Sequence, residues 1–199
     1  MSTTTSPIPR EPELLGQTVV VIGGSSGIGL ETARRARAEG ANVVITGRNP
    51  ERLQHAALEL GARSSVAFDA TDFDRLERFF DELPTRVDHV MIAPGGPYYA
   101  RLTDIDFEQA RRTVDQHLWL PLHVARNAAA KVRPGGTLLF TSGTGGRRPA
   151  VGMALSSALT AALPALTKAA RARACPRQPH RARLRRHTTV GDAARRPTR

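Results

Sequence analysis

The stretch TVVVIGGSSGIG, Thr18 to Gly29, decides the fold. Its opening run, Thr18 to Ile22, is β-branched throughout and lacks the polar alternation of a half-exposed strand, so it reads as a strand buried on both faces. The glycines that end it mark a tight turn. Helical periodicity takes over from Ile28 to Arg37, Gly40 stops it, and NVVITG (Asn42 to Gly47) repeats the strand pattern. Strand, glycine turn, helix and strand form one βαβ unit, whose two strands run parallel.

Outward from this unit the alternation continues. A helix is expected from Pro50 to Leu60, with proline at its favoured first turn, then a short strand at Ser65 to Phe68 and a helix at Phe73 to Leu83. DHVMIA (Asp88 to Ala93) is a fourth strand. A long helix fits Phe107 to Lys131, with a kink expected at Pro121, and TLLFTS (Thr137 to Ser142) is a fifth strand after a PGG turn. The fold class implied is α/β: a Rossmann-type, doubly wound parallel sheet in three α/β/α layers.

The length of 199 residues and 40% hydrophobic content suit one such domain. We divide the chain into a flexible lead-in (1–14), the globular domain (15–168) and an Arg/Pro-rich tail (169–199) that buries too little apolar surface to order. The net charge of +11 suggests nucleic-acid binding until it is located. The tail holds ten arginines against one acid, so it carries +9 and the rest of the chain only +2. Such a tail can attract phosphates, but it has no aromatic residues for base stacking, and nucleic acid is the disfavoured partner. The single cysteine, Cys175, forms no internal disulfide; neither a secretory start nor a membrane span is visible, so a cytoplasmic location is expected.

Gly23, Gly24, Ser25, Ser26, Gly27, Ile28 and Gly29 lie between a buried strand and a helix start. Glycines there let the chain turn and let backbone approach a diphosphate, toward which the helix-end N–H groups point. Ser25 and Ser26 add hydroxyl donors. The alternative for a glycine loop considered alone is an ordinary surface turn. Where a Rossmann domain for NAD(H) places an acid on the ribose, about 20 residues past the glycines, this chain has Gly47 followed by Arg48. With no carboxylate to repel a 2′-phosphate and a guanidinium to grip it, NADP(H) is favoured over NAD(H). The alternative is that Arg48 is a solvated surface charge.

The Gly-x-x-x-Gly-x-Gly spacing, followed in order by TGR (Thr46 to Arg48), DATD (Asp69 to Asp72), PGG (Pro94 to Gly96) and the segment Gly135 to Ser142, resembles the short-chain dehydrogenase/reductase family over Leu15 to Lys168. The resemblance implies hydride transfer between a nicotinamide dinucleotide and a small carbonyl or alcohol. It places Asp69 and Ala70 beside the adenine, and Ala93 and Gly95 beside the adenosine ribose and its neighbours. Asp69 equally fits a role as a cap of the following loop or helix. The family's usual NNAG is replaced here by Ile92, Ala93, Pro94 and Gly95.

The family's proton is handled by a Tyr, with a Lys four residues on that lowers its pKa, a Ser that positions the substrate oxygen and an Asn that supports a water relay. Neither Lys131 nor Lys168 is preceded four positions earlier by tyrosine; Asn127 and Pro164 stand there. Counting along the helix after the fifth strand puts Ser156 at the Tyr position and Thr160 at the Lys position. The Ser position falls on Gly143, beside Ser142, and the Asn position on His117. Proton transfer at Ser156 is not credible, since an aliphatic hydroxyl is a far weaker acid than a phenol and Thr160 brings no charge.

The candidate catalytic residues are therefore Ser142, to touch a bound oxygen, and His117, as a substitute base, with Tyr98 or Tyr99 as further substitutes. The alternatives are a hydrogen-bonded helix-face histidine and tyrosines covering an apolar edge. No metal site is expected. The family's later strands are missing, and the abrupt passage into the Arg/Pro tract is what a shifted reading frame in a GC-rich gene would produce. An unfinished sheet edge, marginal stability and self-association, including a homo-oligomer, are the expected consequences. The alternatives to an impaired oxidoreductase are a non-catalytic NADP(H)-binding or scaffold protein and nucleic-acid binding through the tail.

Overall fold

Residues 13–83 and 86–174 are described by the structure, a computed structural model. Among the described residues five strands form the sheet: β1 (Thr18–Ile22), β2 (Asn42–Gly47), β3 (Ser64–Ala67), β4 (Val87–Ile92) and β5 (Val132–Phe140). They pair in parallel in the order β3-β2-β1-β4-β5, with Val20 opposite Val44 on one side and Val90 on the other. After β3 the chain returns to the far side of β1, so the direction of winding reverses between β1 and β4. At such a switch point the connections leaving the two strands diverge and open a crevice at their carboxyl ends.

Side chains alternate across the strands, and two separate cores result. Val20, Ile22, Val44, Val90 and Ile92 pack against α3 (Phe73–Glu82) and the later helix α5 (Leu120–Lys131). The contacts are Leu76, Phe79 and Phe80 of α3 and Leu120, Val124 and Ala128 of α5, at the i, i+3, i+4 and i, i+4, i+8 spacings of a helical face. Val19, Val21, Val43 and Ile45 face the other way, onto α1 (Gly27–Ala38) and α2 (Pro50–Leu60). There α1 offers only small buried residues, Gly29, Ala33 and Ala36, which let it lie close to the sheet.

Helix ends follow local chemistry. Asn49 caps α2 by accepting from the Arg52 N–H at 2.8 Å, with Pro50 in the first turn, and Gly61 ends it at φ +57°. The Asp72 side chain caps α3. The expected long helix from Phe107 is found as α4 (Phe107–Val114), a π-helical turn at Asp115–Trp119, and α5. Pro121 has no N–H for the carbonyl four residues back, that of His117, and its ring crowds it; the widened turn just before the proline absorbs the misfit. The Leu120 N–H bonds to the Asp115 carbonyl, five residues back.

β5 begins earlier than the sequence suggests because its first residues form an irregularity: Val132 pairs with Val87 but Thr137 with His89. Gly135 at φ +85° makes the detour, and Arg133 forms an ion pair with the buried Asp88, whose other oxygen accepts from the Thr18 N–H at 2.7 Å. β5 is the outermost of the described strands on its side, and Leu139, on the face opposite Leu138 and Phe140, is 53% exposed. The last helix, α6 (Ala154–Ala174), runs past Lys168; the rest of the tail, and residues 1–12 of the lead-in, lie outside the described residues. Among the described residues no helix is long and apolar enough to cross a membrane.

Candidate active site

The crevice between the ends of β1 and β4 is a cleft of about 310 Å³. Gly23, Ser25, Ser26, Gly27, Ile28 and Gly29 line it, as do Arg48, Asp69, Ala70, Ala93 and Gly95. All the expected dinucleotide-contacting residues are thus brought to one place. The glycines are required by contacts that can be counted in ångströms. A Cβ on Gly29 would lie 2.2 Å from the Gly23 carbonyl oxygen, and one on Gly23, itself at φ +89°, 2.2 Å from the Ala93 carbonyl oxygen. No side chain fits between these backbones.

The start of α1 is chemically suited to an anion. Ser26 occupies the cap position but its side chain makes no capping bond, and no acid stands in the first turn, whereas α2, α3 and α4 are capped by Asn49, Asp72 and Asp106. The positive end of α1 and its first N–H groups are left for a ligand.

At the end of β2, a Cβ on Gly47 would sit 2.8 Å from Ser25 Oγ and 3.0 Å from its Cβ, so a side chain at this position requires Ser25 to move. Arg48 lines the cleft, and so does Arg52, which sequence reading missed. The signal for Arg52 was present: Asn49 and Pro50 start a helix there, and one turn of helix brings residue 52 back toward the mouth of the cleft. Neither arginine has an ion-pair partner among the described residues. Asp69 lines the cleft and also closes a loop: its Oδ1 accepts from the Thr71 N–H at 3.0 Å and from Thr71 Oγ1 at 2.8 Å.

A second cavity of about 410 Å³ adjoins the first and shares Ile28, Pro94, Gly95, Gly96 and Thr141 with it. His117, Ser142, Ser156 and Thr160 all line it, although they come from the π-helical turn, the loop after β5 and α6. Ser156 is buried and its Oγ donates to the Tyr98 carbonyl at 2.6 Å. Thr160 Oγ1 donates back to the Ser156 carbonyl at 2.8 Å. Both hydroxyl protons are thus engaged by backbone.

Tyr99 lines this cavity; Tyr98 does not, and its hydroxyl instead accepts from the Asp106 N–H at 2.8 Å. His117 is half-buried, with Nε2 out of contact with water and without a hydrogen-bond partner among the described residues. Burial holds its pKa below the ordinary 6.5, opposed by the neighbouring Gly96 carbonyl. The ring is therefore neutral at pH 7. Among the described residues no cluster of His, Cys, Asp or Glu could hold a metal ion.

Comparison with known proteins agrees with this geometry. The family model for short chain dehydrogenases matches residues 17–178. A short-chain dehydrogenase/reductase from Stachybotrys chlorohalonatus is 28% identical over 173 residues, 79% of this chain and 68% of that protein. The crystal structure of BdcA in complex with NADPH has a TM-score of 0.72 at 28% identity, over 77% of this chain and 63% of that one. A short-chain type dehydrogenase/reductase from Mycobacterium ulcerans gives 0.75 at 28% identity, over 80% and 63%. The chain thus spans less than two thirds of these two solved structures. With the glycine cradle, the order of the strands and the family match in agreement, the chain belongs to the short-chain dehydrogenase family.

Proposed function

We propose that the chain binds NADP(H) at the β1–β4 switch and is an oxidoreductase whose hydride transfer is slowed by the residues at its proton-transfer positions. The observation that carries the cofactor choice is the end of β2, where position 47 is a glycine and two guanidiniums without an ion-pair partner among the described residues, Arg48 and Arg52, line the cleft. A 2′-phosphate meets positive charge there, and a 2′-hydroxyl finds no carboxylate at position 47 to bind it. The N–H groups at the start of α1, with Ser25 and Ser26, would hold the diphosphate. Asp69 and Ala70 would flank the adenine, and Ala93 and Gly95 the ribose and its neighbours. Bound there, the nicotinamide would supply or accept the hydride.

The proton side is where this chain departs from its family. Ser156 keeps its hydroxyl on the Tyr98 carbonyl, and Thr160 carries no charge with which to acidify anything. Losing a positioned acid costs about 10²–10⁴-fold in rate. Ser142, whose hydroxyl has no partner among the described residues, would hold the reacting oxygen, and His117 is the one imidazole among the described residues that line the cavity. A neutral imidazole can accept an alcohol proton; it returns one to a carbonyl only when the pH is low enough to charge it.

The second reading, a non-catalytic NADP(H)-binding protein, is favoured by the Ser156–Tyr98 bond, which closes the family's proton position structurally. One experiment separates the two: titrate NADPH by fluorescence, then follow NADPH oxidation with a panel of carbonyls over a range of pH. Binding with slow, acid-favoured turnover supports the first reading; binding without turnover selects the second; no binding by the folded chain contradicts both.

A further inference from the structure

The second cavity is chemically distinctive: among the described residues lining it there is no Asp, Glu, Lys or Arg. Its walls are supplied by Phe140, Met153, Leu159, Leu163 and Pro121. His117 adds no charge at neutral pH, because burial favours the neutral ring.

The polar groups are fewer than the composition of the lining suggests. Thr113 Oγ1 donates to the Gln109 carbonyl at 2.8 Å and Thr141 Oγ1 to the Ile92 carbonyl at 3.1 Å. The hydroxyls of Ser156 and Thr160 are likewise committed to backbone carbonyls. Three hydroxyls on the lining have no partner among the described residues: Tyr99, Ser142 and Thr144. Among the described lining residues a ligand therefore finds a few neutral hydrogen-bonding groups, an apolar surface and no counter-ion.

We propose that this cavity takes an uncharged, mainly apolar small molecule bearing one or two oxygen acceptors, such as an aryl or cyclic ketone, an ester-bearing ketone or the corresponding alcohol, and rejects carboxylates, phosphates and amines. The inference rests on the proposed function in that the cavity shares Gly95, Gly96 and Thr141 with the nucleotide cleft, which is what makes its occupant the substrate. The selectivity has a simple origin. A charge brought here gives up part of its hydration and meets no ion partner among the described lining residues, whereas an apolar body loses only unfavourable hydration.

The test uses two ligands with one skeleton, methyl phenylglyoxylate and phenylglyoxylate, titrated calorimetrically into the full chain with NADPH affinity measured in parallel. The neutral ester is expected to bind at least about 100-fold more tightly than the carboxylate. Thr144→Arg is expected to narrow that preference at least about tenfold by supplying the missing counter-charge. The variant should melt like the parent, since Thr144 is exposed and its hydroxyl bonds to nothing described. Equal or tighter binding of the carboxylate by the parent overturns the inference, as does NADPH binding with neither ligand bound, or a preference unchanged in Thr144→Arg. Ester selectivity without NADPH binding supports the cavity's chemistry and overturns the cofactor reading alone.

Discussion

Ser156 Oγ donates a 2.6 Å hydrogen bond to the carbonyl oxygen of Tyr98, tying the helix after β5 to the loop after β4. A hydroxyl in this arrangement holds two elements together and has no proton left to give. Ser156→Ala should therefore lower unfolding free energy by about 1–2 kcal/mol, since it leaves a carbonyl without its partner, and should leave any turnover unchanged. Denaturant unfolding beside a rate measurement checks this; a large loss of turnover at unchanged stability would contradict it.

Restoring the family's pair should restore chemistry. Residues 156 and 160 sit one turn apart on α6 and both line the 410 Å³ cavity, so Ser156→Tyr with Thr160→Lys places a phenol and an ammonium on the same face with space beside them. The ammonium favours the phenolate and lowers the Tyr pKa toward neutrality. The double variant is expected to reduce ketones at least about 100-fold faster than the parent, as followed by NADPH absorbance. No gain in a double variant that folds and binds NADPH would show that more than these two groups is missing.

The glycine cradle predicts a contrast between neighbours. At Gly29 a Cβ meets the Gly23 carbonyl oxygen at 2.2 Å, while at Gly27 it meets nothing within 4 Å and only the φ of +55° is unfavourable. Gly29→Ala should cost more than about 2 kcal/mol and abolish nucleotide binding; Gly27→Ala should cost about 1–2 kcal/mol. Chemical denaturation with NADPH titration distinguishes them, and equal effects would refute the close-approach explanation.

His117 predicts a pH dependence of stability. Its folded pKa lies below the ordinary 6.5, so the unfolded chain binds the proton more readily. The contribution from this residue is complete above pH 6.5 and is lost as pH falls from there through the folded value. Thermal melting between pH 7.5 and pH 5 should show a smaller acid loss in His117→Gln than in the parent, and equal losses would contradict the cause given.

Much of the architecture was legible because it is local. The β-branched runs of β1 and β2 and the spacing of Leu76, Phe79 and Phe80 state their own periods, and the glycines announce the turn between them. The start of β5 was not legible: Gly135 and Gly136 read as a turn, but within the sheet they form a detour that lets Arg133 reach Asp88, a residue 45 positions earlier. The π-helical turn was legible only as a disturbance at Pro121, since a proline signals a lost hydrogen bond without saying how the chain absorbs it. At the site, the glycine loop was visible as sequence, whereas the Ser156–Tyr98 bond spans 58 positions and depends on how α6 packs. Arg52 was overlooked because a second arginine one helical turn after the first is usually an exposed charge.

The most direct test is equilibrium titration of NADPH and NADH against the parent chain, Arg48→Ala and Arg52→Ala. The parent should bind NADPH at least about tenfold more tightly than NADH, and each substitution should weaken NADPH by about tenfold while leaving NADH nearly unchanged, because only the 2′-phosphate loses a charge-assisted contact. Equal affinity of the folded parent for both nucleotides, or NADPH affinity untouched by either substitution, would contradict it.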